Sequence, residues 1–332
     1  MEFSHFKVIR MQPFPIAPAK DKYKVKNWKE YNASLCRRGQ VTIWLENGVL
    51  REWRDIDACR RVVGEKTYPN AVILCCLTLG LVYGQKLRQT TGFVASLLRL
   101  MGRSDYAIPD YTTLCRRQSC LPVGLTERWQ KGEKLDIAID STGLKVFGEG
   151  EWKVRRHGVS KRRTWRKLHM GIDVNTQEIV SVSLTGNNED DAAVAGWMIE
   201  GKQDVLSSFR GDGAYDDFAF REKLGPNVVQ IIPPPKDAVV HPGTPRIPPK
   251  PHLQQRNQAV EDIGQRGRKE WKVSSGYHKR SRNEVVMYRF KTAFGPNLNA
   301  RKMENQKTEA NIKAKVLNVW WDMGRPVSYK AS

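Results

Sequence analysis

The chain has no cysteine beyond Cys120, no CxxC pair and no histidine at ligand spacing from its six cysteines, which argues against a zinc site. No charged amino-terminal segment leads into an apolar one, so no secretion signal is expected and the thiols read as reduced, buried packing residues of a cytoplasmic chain. Apolar runs long enough to span a bilayer, about 20 residues, are also missing. The uncharged stretch Ala71 to Gly84 has 14 residues and reads as a core helix, so no membrane partner is expected. Acid is scarce: 35 Asp and Glu face 56 Lys and Arg, a formal charge of +21 over 332 residues. That excess exceeds what solubility needs and implies a polyanionic partner, with nucleic acid fitting better than a membrane surface.

What is present divides into two textures. Residues 1–26 carry Pro13, Pro15 and Pro18 without periodicity and read as an extended or disordered lead. Residues 27–130 are helix-patterned, with segments at Asn27, at Ile56 to Val63, at Asn70 to Tyr83 and at Thr90 to Met101. This is an all-α module whose arginine pairs (Arg37-Arg38, Arg60-Arg61, Arg116-Arg117) suit phosphates or a solvated face equally. From Lys134 the pattern alternates with period two through Leu135–Asp140, then Trp165 to Val174 and Glu178 to Leu184, the last two joined as a hairpin at Asn175-Thr-Gln. A helix from Asp190, a strand from Val205 to Arg210 and a helix from Phe218 to Leu224 complete an α/β order. Eight prolines in the nineteen positions 233–251 mark an extended surface connection. Residues 131–304 thus form a mixed α/β domain, and 305–332 a final helix and tail.

Asp140 ends an apolar strand, an expensive place for charge unless a cation or a turn compensates it. Asp212 lies between Gly211 and Gly213, where a ligand can approach the backbone, although Gly-Asp-Gly is also ordinary turn chemistry. Asp136 shares the Asp140 face and reads as an edge or solvent-facing residue. Glu284 is an isolated acid in a basic helical stretch. At about 100° per residue, Tyr277, Arg280, Glu284 and Lys291 fall within one stripe at roughly 0°, 300°, 340° and 320°, which is either a site or an i,i+4 salt bridge of Arg280 with Glu284. Asp140, Asp212 and Glu284 together describe a hard-cation site beside phosphates. The run Lys153 to Lys167 holds eight Lys or Arg, no acid, and Trp152 and Trp165 at its ends, a pattern for phosphate tracking with stacking or for a solvated loop. Lys167 and His169 alternate with Trp165 on the next strand, with His169 either a base, a phosphate contact or structural.

These residues resemble a DDE transposase of a bacterial insertion sequence, in the insertion-sequence-five group. Leu135-Asp-Ile-Ala-Ile-Asp140-Ser-Thr-Gly resembles the first-aspartate strand, Trp165 to Asp173 the strand after it, and Gly211-Asp212-Gly-Ala-Tyr-Asp the second-aspartate turn. Tyr277, Arg280, Glu284 and Lys291 match the Tyr-(2)-Arg-(3)-Glu-(6)-Lys signature. Gly211 departs from the alanine or similar residue common in that family. The resemblance implies an RNase H-like catalytic domain in which Asp140, Asp212 and Glu284 hold two Mg2+ ions, Mn2+ substituting. It also implies DNA contacts by Tyr277, Arg280 and Lys291, to which the basic run and its strand add Lys167, His169 and Trp165 as candidates. Expected partners are the terminal inverted repeats, target DNA and a second copy of the chain on paired ends, in the bacterial cytoplasm at the nucleoid. A non-catalytic repressor derived from a transposase, and an RNase H-like nuclease without strand transfer, are the rival readings.

Overall fold

In the computed structural model, residues 23–56, 68–146, 165–241 and 250–331 are described. All but Ile56 of the helical segment expected from Ile56 to Val63, and most of the basic run 153–167, lie outside them.

Among the described residues five α-helices precede the sheet: α1 (Trp28–Arg38), α2 (Asn47–Arg54), α3 (Asn70–Val82), α4 (Leu87–Leu100) and α5 (Tyr111–Gln118). Helix α3 is apolar all round and therefore central; Val72, Ile73, Cys76 and Leu79 are buried against Trp53, Val94, Leu98 and Leu114. Among the described residues no single helix is long and apolar enough to cross a membrane. The expectation of buried cysteines holds for Cys75 and Cys76 and is corrected for Cys36, Cys115 and Cys120, which are exposed.

The α/β part is a mixed sheet of β2 (Leu135–Val146), β3 (Trp165–Asp173), β4 (Ile179–Thr185), β5 (Leu206–Arg210) and β6 (Val229–Ile231), ordered β4-β3-β2-β5-β6, with the short β7 (Asn297–Leu298) beside the end of β2. Strands β3 and β4 run antiparallel to their neighbours, whereas β5 pairs parallel with β2 and β6 with β5. Helices α6 (Asp191–Met198) and α7 (Phe218–Leu224) pack on the face carrying Ile137 and Ile139. Helices α10 (Ser281–Phe294) and α11 (Met303–Asp322) cover the face carrying Ala138, Leu168 and Met170. Between them, α8 (Pro251–Arg266) and α9 (Arg268–Ser274) pack at the β6 edge through Ala259 and Trp271 against Ile231, and Gln255 accepts the Gln230 N–H at 2.8 Å, satisfying an edge donor that would otherwise be open to another strand. Helix α11 also enters the first core through Ile312 and Val316.

Several expectations change. Strand β2 does not stop at Asp140: Ser141 to Lys145 stay in register with His169 to Trp165, so residues read as a turn continue the ladder and Asp140 sits mid-strand. Because β2 lies between β3 and β5, Asp136 is not at an edge; Ser208 and Asn175 hydrogen-bond it and Arg210 stands 3.8 Å away. Pro233 and Pro234 are buried rather than on the surface, while 242–249 lie outside the described residues. The end of the lead, Tyr23–Val25 (β1), pairs antiparallel with Ser328–Lys330 (β8).

Candidate active site

Strand register brings the first two acids together. Ala138 is level with Arg210 across the parallel β2–β5 pair, and two further steps along both chains reach Asp140 and Asp212. Asp212 has just left β5, and its carboxylate accepts the Ala214 N–H at 2.9 Å, capping the short 3-10 turn Gly213–Tyr215. Gly211 is required there by space. A Cβ would lie 2.7 Å from Tyr215 Cδ2 and 2.9 Å from Phe209 Cε1. Asp216, the last residue of the motif, accepts from Arg221 at 2.7 Å and Arg256 at 3.1 Å, with all three side chains buried, and so ties the Asp212 turn to α7 and α8.

Glu284 reaches the same place on α10. The apolar side of that helix buries Val286, Met287 and Phe290, and between them Asn283, fully buried, donates to the carbonyls of Ala138 (3.0 Å) and Met170 (2.8 Å). That amide locks α10 across β2 and β3 beside Asp140. The signature stripe is not one helix, however. Gly276 at φ 69° starts a separate 3-10 turn, Tyr277–Arg280, before α10 begins at Ser281. The turn still delivers Arg280, whose Nη1 donates to Asp140 at 2.7 Å and Nη2 to Glu284 at 2.8 Å. The i,i+4 salt bridge and the site are thus the same object. Lys291 Nζ donates to Thr142 Oγ1 at 2.5 Å, one face-repeat along from Asp140. Tyr277 packs on Trp271, with the Arg280 guanidinium 5.8 Å from its ring centre.

Burial pushes the Asp140 carboxyl above the ordinary carboxylate range; the Ser141 N–H and Arg280 oppose this, and the charges of Asp212 and Glu284 add to it. Arg280 is held above its usual value: burial works against its charge, but Tyr277, Asp140, Glu284 and Asp212 outweigh it. These three acids offer only carboxylate oxygens, the donor set of a hard divalent cation, and Asp140 and Glu284 already share one cationic group. Among the described residues no three His, Cys, Asp or Glu side chains stand close enough to hold an ion as they are placed, and the Arg280 guanidinium bridges Asp140 and Glu284.

The remaining candidates stay on the other side of the sheet. Trp165, Lys167 and His169 share the face of Ser141, opposite to that of Asp140. His169 is fully buried, with Nε2 2.9 Å from Thr185 Oγ1 and Nδ1 3.3 Å from Asp191, so its reading as a phosphate contact is corrected to a structural role. Burial lowers its pKa to about 4, against the pull of Asp191. Lys167 is engaged by Asp191 at 3.1 Å and the Glu189 carbonyl at 2.9 Å. Trp165 stacks near Lys145, whose amine is 5.8 Å from its ring centre. Sequence reasoning missed the roles of Asn283, Asp216 and Asp191; Asn283 stands between Arg282 and Glu284, so nothing local marked it as buried.

Two models described as transposase DDE domain match this chain, one over residues 36–149 and one over 131–319. Among solved structures, a cryo-EM structure of the piggyBac transposase synaptic complex with hairpin DNA matches at a TM-score of 0.34 and 11% identity, covering 86% of this chain and 76% of that one.

Proposed function

This chain belongs to the family of transposase DDE domains, and we propose that it is the DNA transposase of a bacterial insertion sequence, acting in the cytoplasm on terminal inverted repeats and target DNA. The observation that carries the reading is the convergence of Asp140, Asp212 and Glu284. Asp140 on β2 and Asp212, just past the end of the parallel β5, each follow the Ala138–Arg210 pair by two residues, and Glu284 is bound through Arg280 to Asp140. The antiparallel β4-β3-β2 unit followed by parallel β5 and β6 supports an RNase H-like domain, with 27–130 as the DNA-binding region and 305–332 as a closing helix and tail.

In this reading the three carboxylates hold two Mg2+ ions, with Mn2+ substituting, which when bound lower the pKa of the attacking hydroxyl and stabilise the leaving oxygen. Asp140 is preorganised by its strand, and Asp212 by its capped turn. Glu284 is fixed by Asn283 one residue before it. Arg280 hydrogen-bonds carboxylates here and suits a phosphate by the same fork geometry, while Lys291 brings a point charge to the same face and Tyr277 orients the strand. Water attack at the element's end frees a 3′-hydroxyl, which then attacks target DNA; a second copy of the chain holds the other end.

The test is cleavage and strand transfer in Mg2+ on DNA carrying the element's terminal repeats, comparing the unaltered chain with Asp140→Asn, Asp212→Asn and Glu284→Gln. All three changes abolish both steps while DNA binding persists. Cleavage surviving any one of them removes that acid from the assignment.

A further inference from the structure

Away from the acids, at the β3–β4 turn, four arginines gather from three separate parts of the chain. Arg37 and Arg38, at the end of α1, donate to the carbonyls of Met323 (2.7 Å) and Gly324 (3.0 Å). Arg325 follows in the tail and donates to the Thr176 carbonyl at 3.3 Å. Arg289, on α10, donates to Gln177 Oε1 at 2.9 Å. Trp321 binds the group together: the Arg289 guanidinium lies 3.7 Å and that of Arg325 5.5 Å from its ring, and its own N–H is fixed on Thr176.

Nearly all the acceptors are neutral. Among the described residues the one carboxylate within salt-bridge reach, the exposed Asp322, is 3.9 Å from Arg325. The acids of the hairpin, Asp173 and Glu178, are engaged by Arg128 at 2.7 and 3.3 Å. Carbonyls satisfy hydrogen bonds without cancelling charge, so like charges are held together uncompensated. The buried Nε atoms of Arg38 and Arg289 have no partner, and burial together with Arg38 and Arg325 lowers the Arg289 pKa to about 10. Gln177, which receives Arg289, is the one non-glycine residue at positive φ (61°) among the described residues, a local strain of the kind that collects at ligand clamps.

We propose that Arg37, Arg38, Arg289 and Arg325, set around Trp321, form a second DNA-backbone site, binding phosphates independently of sequence and separately from the three acids. The proposal rests on the reading of this chain as a DNA-acting enzyme. A phosphodiester chain supplies the missing negative charge, and guanidinium forks match its oxygens bidentately. Such contacts position a duplex without reading its bases.

Arg37→Gln with Arg325→Gln, both near the surface, is the variant to test, in the full chain with chelator present so that no cleavage intervenes. Binding to a labelled random-sequence duplex is measured by fluorescence anisotropy across a salt series. Each lost phosphate contact flattens the slope of log K against log[salt] by about 0.9, so the double variant loses up to about 2 from the slope, whereas Arg289→Lys, which keeps the charge, retains it. An unchanged slope in a folded double variant overturns the second site and leaves the transposase reading standing. Failure of the unaltered chain to bind duplex overturns both. A matched thermal midpoint for variant and parent establishes that the loss is electrostatic.

Discussion

Gly211→Ala is the smallest change expected to injure the site. The added methyl would lie 2.7 and 2.8 Å from Tyr215 Cδ2 and Cγ and 2.9 Å from Phe209 Cε1, about 1 Å inside the ~3.5–4.0 Å optimum for carbon pairs. The rings have no room to yield: Phe209 and Tyr215 are buried, and each packs on Phe220, at 4.9 and 6.0 Å between ring centres. Overpacking of this kind costs roughly 1–3 kcal/mol, which lowers the thermal midpoint by a few degrees. The strain is next to Asp212, and a displacement of about 1 Å at a reacting group costs on the order of 100-fold in rate. Thermal unfolding and single-turnover nicking of terminal-repeat DNA measure the two effects separately. Phe209→Leu added to Gly211→Ala restores part of each by opening space beside the methyl. A Gly211→Ala protein with the parent's midpoint and nicking rate refutes the crowding; a lowered midpoint with a full rate refutes its transmission to Asp212.

Other changes probe the supports of the site. Asn283→Ala removes both donors that pin α10 to the strands, and chemical denaturation should show a loss of roughly 1–3 kcal/mol, with nicking reduced because Glu284 is the next residue. Asp216→Asn leaves Arg221 and Arg256 buried without a counter-charge; breaking such a pair costs about 3–5 kcal/mol, read as a lower denaturation midpoint, and an unchanged one would remove Asp216 as the anchor of the turn. His169 is neutral in the fold, with its pKa depressed from 6.5 to about 4. The unfolded chain therefore takes up the proton first, and this residue's contribution is complete above pH 6.5 and lost as pH falls towards 4, by up to about 3 kcal/mol. Thermal midpoints of His169→Gln should vary less with pH across that window.

The elements most legible in the sequence were those with strong local periodicity. Strands β3 and β4 and helix α7 lie where alternation and local pattern put them, and the three isolated acids Asp140, Asp212 and Glu284 were readable as a group from their carboxylate chemistry among basic residues. Composition could not show that Ser141 to Val146 extends β2, because turn-forming residues also fit a strand when a distant antiparallel neighbour, here β3, supplies the ladder partners. Nor could helical periodicity foresee the 3-10 turn at Tyr277, which depends on one left-handed glycine. The Arg280–Asp140 contact spans 140 positions and has no local signature. The same holds for the neutral acceptors around Arg289, which turn a scatter of surface arginines into one cluster.

Helix α11 has a consequence for the order in which the protein is made. Its Ile312 and Val316 complete the core of the first helices, and its Ala310, Ala314 and Leu317 complete the core under the sheet. It is synthesised after every other element of both. During translation the two halves wait, each with an apolar wall open, until one shared segment leaves the ribosome and closes them together. A chain truncated before Met303 should therefore be held by chaperones or degraded, without accumulating as a half-active nuclease.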